Sequence, residues 1–132
     1  MKEIEELEKT RVALDTRNVT PDELSRAIVK LNSLLCFVGT RVAELRKAYE
    51  LAYWERKRQY SYLKALAEGT LAQKEKEASE GIDDFRQDEI AKQYEYEYLK
   101  NIREDYKGYA MALQSRLNVL REERMASGHE TT

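Results

Sequence analysis

One run of residues constrains this chain more than any other. Leu24, Ile28, Leu31, Leu35, Val38, Val42, Leu45, Tyr49, Ala52, Arg56, Gln59, Leu63 and Leu66 stand four and three residues apart in alternation. Eleven of these thirteen positions are apolar or aromatic. A strand repeats every two residues and cannot produce that spacing. A helix with a seam along one side can, so the run predicts a coiled-coil helix sustained over about six heptads. At about 1.5 Å per residue such a helix extends roughly 70 Å, which predicts an elongated molecule.

Local signals predict where the helices begin and stop. Thr20-Pro21-Asp22-Glu23 combines a capping hydroxyl, a proline at the first helical position and an acid for a capping box. Glu68-Gly69 reads as a helix end with glycine just beyond it. Thr70-Leu71-Ala72-Gln73 is a second capping box, Gly81 stops the short helix that follows, and Asp83 or Asp84 caps the next one. The expected elements are an N-terminal helix at 1–17, a long helix at 21–68, a corner helix at 71–80, a long helix at 84–126 and a disordered tail at 127–132, all in a single domain.

The second long helix has its own stripe: Ala91, Tyr94, Tyr98, Ile102, Tyr106, Tyr109, Leu113, Leu117 and Leu120. A short connection between two long helices favours an antiparallel pair. In the register expected from that connection, Arg56 lies beside Glu95 and Gln59 beside Lys92. The fold class is therefore all-α: an antiparallel helical hairpin of two long helices, with a short corner helix and an N-terminal helix packed alongside. Ile4, Leu7, Arg11 and Leu14 form the N-terminal seam, which should fold back along Ile28–Val38.

Composition narrows the function classes. Ala, Glu, Lys, Leu and Arg make up about half of the 132 residues, the usage of long helices. The net charge of −2 does not suit a polybasic nucleic-acid or membrane binder. Cys36 is the only cysteine and His129 the only histidine, too few for a disulfide or a Cys/His zinc site. No nucleophile–base set and no Gly-rich phosphate loop can be assembled. No catalytic residue, metal ligand or cofactor is expected. The longest apolar run, Leu34 to Val38, is too short to span a bilayer. The opening Met-Lys-Glu-Ile-Glu-Glu lacks the apolar core of a signal peptide. These features predict a cytoplasmic, reducing compartment.

Charge is unevenly distributed. The first long helix carries about +3 and the second, counted with Asp83, about −2. Between Arg41 and Lys64 seven basic residues face three acidic ones. This stretch holds Tyr53-Trp54-Glu55-Arg56-Lys57-Arg58-Gln59-Tyr60-Ser61-Tyr62. The candidate surface for a protein or nucleic-acid partner is Arg46, Lys47, Trp54, Lys57, Arg58 and Tyr62, with Tyr96 from the facing helix. Cations beside aromatic rings could track phosphates and stack bases. The commoner arrangement in coiled coils is that they face water or pair with Asp88, Glu89, Glu95 and Glu97 across the hairpin. Arg56 with Glu95 is the candidate ion pair within the seam, where a polar residue fixes register. Tyr94 and Tyr98 share a face and should pack inward, with Tyr96 turned away. Ile28, Val29, Leu34, Cys36 and Phe37 are apolar on more than one face of the helix. They form the candidate interface for self-association, most simply a dimer, with Cys36 as a small buried residue.

Three stretches carry a family resemblance. They are Ala48-Tyr49-Glu50-Leu51-Ala52-Tyr53, Lys64-Ala65-Leu66-Ala67-Glu68-Gly69-Thr70 running on to Lys74-Glu75-Lys76-Glu77-Ala78, and the ending Leu113 to Arg121. Together they resemble small coiled-coil helical hairpin proteins of tailed bacteriophages and prophages. Those proteins combine a long helix, a corner, a short basic helix and a returning helix. The corner helix here is less basic than theirs, since Lys and Glu alternate in it. The resemblance implies a non-enzymatic accessory factor that contacts proteins of viral DNA replication or recombination. From the residues alone, a nucleic-acid binder using the Arg46–Tyr62 face and a scaffold-like assembly protein are the alternatives.

Overall fold

The computed structural model describes residues 1–16 and 18–130, with side chains up to residue 127. His129 and the end of the expected tail lie outside the described side chains and residues. Among the described residues there are four helices and no strand: α1 (Lys2–Asp15), α2 (Pro21–Leu66), α3 (Leu71–Gly81) and α4 (Asp83–Glu130). The chain is an all-α helical hairpin whose two long helices, α2 and α4, pack together. No helix among the described residues is long and apolar enough to cross a membrane.

The helix ends follow their expected chemistry. Thr20 Oγ1 accepts from the Glu23 amide at 3.2 Å, and Pro21 opens α2. The Thr70 hydroxyl accepts from the Gln73 amide at 3.3 Å, and the Thr70 amide donates to Gln73 Oε1 at 2.9 Å. Both halves of the capping box are therefore made. Gly69 has φ +111°, a region that side chains rarely adopt. α4 continues to Glu130, beyond the expected stop at 126.

The chain divides into two compact units, Met1–Thr40 with Lys100–Thr132, and Arg41–Leu99. In the first unit, α1 runs beside α2 and α4. Glu6 pairs with Lys30 at 3.5 Å, while Tyr106 donates to Glu8 and Tyr109 donates to Asp15. Leu7, Thr10 and Leu14 are buried with Leu24, Ile28, Leu31, Leu35, Val38, Tyr106, Ala110, Leu113 and Leu117. Thr10, not Arg11, takes the third seam position. Its hydroxyl donates to the Glu6 carbonyl at 2.8 Å, which satisfies it inside the core. Arg11 lies over the Tyr109 ring instead.

In the second unit the two long helices run antiparallel. Tyr49 stacks on Tyr96 with centroids 6.2 Å apart, and Arg56 pairs with Glu89. Only Ala52, Ala78, Ile82 and Leu99 are buried apolar residues here. The rest of the seam is half-buried, and Leu66 is exposed.

The α4 stripe holds from Ile102 onward and differs before it. Ile102, Tyr106, Tyr109, Leu113, Leu117 and Leu120 are buried or half-buried as expected, whereas Ala91, Tyr94 and Tyr98 are exposed. The positions facing α2 along the whole helix are Phe85, Glu89, Lys92, Tyr96, Leu99, Arg103, Tyr106, Ala110, Leu113, Leu117 and Leu120, all buried or half-buried. They alternate four and three residues apart, a heptad seam like that of α2. Tyr94 and Tyr98 point outward, stacked on each other with centroids 6.0 Å apart. Tyr96 is turned in. The expected register is also corrected: the partner of Arg56 is Glu89, six residues before Glu95. The corner sets this offset. A Cβ on Gly81 would stand 2.8 Å from Leu63 Cδ1, so the turn into α4 closes at the height of Leu63, about a turn before α2 ends.

Candidate interaction surface

Within Arg41–Leu66, the seam positions Tyr49, Ala52, Arg56 and Gln59 face α4. A row on the opposite side of the helix follows from the 3.6-residue period: Lys47, Leu51, Trp54, Arg58 and Tyr62. All five are exposed. Leu51, which sequence reasoning left out, belongs to this row. Its signal was its place one helical turn from Lys47 and Trp54.

Tyr53 and Trp54 meet edge to face with centroids 5.4 Å apart. Lys57 Nζ lies 4.6 Å from the Tyr53 centroid and 5.7 Å from that of Trp54. A cation over two rings at an exposed site favours this arrangement by about 0.5–1 kcal/mol. Trp54 is thus an exposed aromatic platform, the kind of group that anchors interfaces.

Other cations of this stretch are partly neutralised along the helix. Arg46 pairs with Glu50 at 3.1 Å, Arg41 with Glu44 at 3.0 Å, and Arg58 with Glu55. The Arg58 guanidinium and the Gln59 amide, both donating to Glu55, hold that carboxyl below its usual range. Lys47 and Lys57 stand outside any ion pair found among the described residues. The surface therefore has less free positive charge than its composition suggests.

The structure does not bring all the expected site residues together. Tyr96 is half-buried against Tyr49, on the seam side and away from the row. Of the candidate self-association residues, Ile28 is buried in the core of the first unit and Leu34 is half-buried. Val29, Cys36 and Phe37 remain exposed. Cys36 is a free, accessible thiol, contrary to the expected buried position, because the seam turns its neighbours Leu35 and Val38 into the core instead.

A cavity of about 520 Å³ opens at the corner, lined in part by Arg56, Tyr60, Lys76, Ser79 and Arg86 above Ile82. Arg86 Nη2 donates to Ser79 Oγ at 3.3 Å. No group of three or more His, Cys, Asp or Glu residues able to hold a metal ion occurs among the described residues. Comparison with protein-family models, curated proteins and solved structures finds no match.

Proposed function

We propose that this chain is a non-enzymatic helical interaction protein that works through protein–protein contacts. One observation carries the reading. Trp54, the only tryptophan, is exposed between Leu51 and Arg58 while Lys57 and Tyr53 lie against its ring. An exposed aromatic anchor with aliphatic and cationic neighbours suits a protein partner. These groups bind; none is a nucleophile set beside a base. An accessory role in viral DNA replication or recombination is part of the proposal and rests on the resemblance of residues 48–78 and 113–121 alone.

Affinity capture from host or infected cells tests the reading. The full chain should retain a protein that the double variant Leu51→Ala, Trp54→Ala loses. Salt-dependent binding to single- or double-stranded DNA, abolished by Lys57→Glu with Arg58→Glu, would replace this reading with a nucleic-acid one.

A further inference from the structure

The second unit carries two exposed rows, not one. On α2 the row is Lys47, Leu51, Trp54, Arg58 and Tyr62. On α4 it is Asp83, Gln87, Ile90, Tyr94 and Glu97, with Tyr98 beside the last. The large residues in both are open to solvent: Leu51 61%, Trp54 63%, Tyr62 58%, Ile90 57%, Tyr94 69% and Tyr98 58%. Exposed apolar side chains scattered singly need no explanation, but rows of them do.

Three features match the rows to each other. Both begin with steps of four, three and four residues, the spacing of a helix that packs on a helix. They extend over nearly the same length, from 47 to 62 and from 83 to 97. Their helices carry opposite charge. Arg41 to Lys64 holds seven bases and three acids, while Asp83 to Leu99 holds six acids and two bases. The Arg56–Glu89 pair cancels inside the seam and Lys64 pairs with Glu75 of α3 at 3.5 Å, leaving an excess of two bases on the first helix and three acids on the second.

The rows cannot meet within one chain, since each lies on the side of its helix away from the seam. We propose that they meet between copies: the basic row of one molecule seats antiparallel on the acidic row of the next. Lys47 then faces Glu97, Leu51 faces Tyr94, Trp54 faces Ile90, and the Tyr62 hydroxyl donates to Asp83. Because different faces are used, each contact leaves one row open on either molecule, and the assembly grows instead of closing as a twofold dimer. This contact rests on the reading of the rows as protein-binding surfaces and names the protein as a second copy.

Light scattering on the full chain under reducing conditions tests it. Wild-type mass should climb with protein concentration and fall as salt rises. Two charge-reversal variants, Lys47→Glu with Arg58→Glu and Asp83→Lys with Glu97→Lys, should each associate at least about tenfold more weakly. Mixed in equal amounts they should assemble again, because reversed rows are complementary to each other. Circular dichroism should find both nearly as helical as wild type: every altered residue is exposed, and Asp84 keeps an acid in the first turn of α4 when Asp83 is replaced. A monomer at all concentrations overturns the contact. So does assembly of the Asp83→Lys, Glu97→Lys variant alone, which would mean that like rows pair. Neither result touches partner capture through Leu51 and Trp54, which tests the broader reading separately.

Discussion

Arg103 lies across Gly39. Its Nε donates to the Leu35 carbonyl at 3.3 Å, and a Cβ at position 39 would stand 2.9 Å from that nitrogen. Position 103 is part of the α4 seam, so a glycine on α2 makes room for a guanidinium where the packing would otherwise place an apolar side chain. Two opposing effects follow for Gly39→Ala. Alanine favours the helix by about 1 kcal/mol, and displacing Arg103 forfeits a charged hydrogen bond worth about 1.5 kcal/mol or more. Urea unfolding should find the single variant modestly destabilised. In an Arg103→Ala background, the same substitution should stabilise by about 1 kcal/mol. Equal effects in both backgrounds would mean that the contact carries no energy.

Arg56 and Glu89 are mostly shielded from water, with 23% and 14% of their side chains exposed. Removing one partner strands the other charge. Arg56→Leu alone should therefore lower stability by about 2 kcal/mol, less than a fully buried pair would lose. Arg56→Leu with Glu89→Leu should recover that loss or exceed it, at the expense of a fixed register. Thermal unfolding of the two variants checks both statements.

The helix ends and the α2 seam were legible because their signals are local or repetitive. Pro21, Thr70 and Gly81 act within a few residues of the boundary they set. Leu24 to Val38 repeats an apolar side chain at every turn. The C-terminal half of the α4 seam, Tyr106, Leu113, Leu117 and Leu120, was legible for the same reason. Its N-terminal half was hidden because Glu89, Lys92, Tyr96 and Arg103 occupy it, and no hydropathy pattern marks a polar seam. Tyr94 and Tyr98 completed a plausible stripe on the wrong face, since tyrosine tolerates both water and packing. The pairing of Arg56 depended on how the corner closes. That is fixed by contact between Gly81 and Leu63, which are eighteen residues apart. The basic and aromatic row was readable, but its partial neutralisation by Glu50 and Glu55 required side-chain geometry.

The corner depends on Gly69. At φ +111° a side chain is strained, and a Cβ would stand 2.3 Å from Gln73 Oε1, the oxygen that completes the capping box. Gly69→Ala should cost about 1–2 kcal/mol. Thr70→Ala should cost about 1 kcal/mol. Denaturant midpoints of the two variants measure these losses.

Tyr106 and Tyr109 link stability to alkaline pH. Burial raises the Tyr106 hydroxyl above its usual range, and the Glu8 carboxylate raises it further. Burial and the charge of Asp15 do the same for Tyr109. The folded chain holds these protons at a pH where the unfolded chain releases them. Their contribution is full below the unfolded value near 10 and is lost as pH rises through the higher folded values. The melting temperature should fall over that range. Tyr106→Phe should make the fall shallower, because one raised hydroxyl is gone. An unchanged slope would exclude the linkage.

Trp54 reports directly on the claim that the outward row of α2 is a protein-contact surface. As the only tryptophan, its fluorescence has one source. Acrylamide quenching should be efficient in dilute protein, where the ring is open to solvent. It should weaken as protein concentration rises, and Lys47→Glu with Arg58→Glu should shift that protection to at least about tenfold higher concentration. DNA at physiological salt should leave the quenching unchanged. Quenching that stays constant with protein concentration and is relieved by DNA in a salt-dependent way would contradict the account.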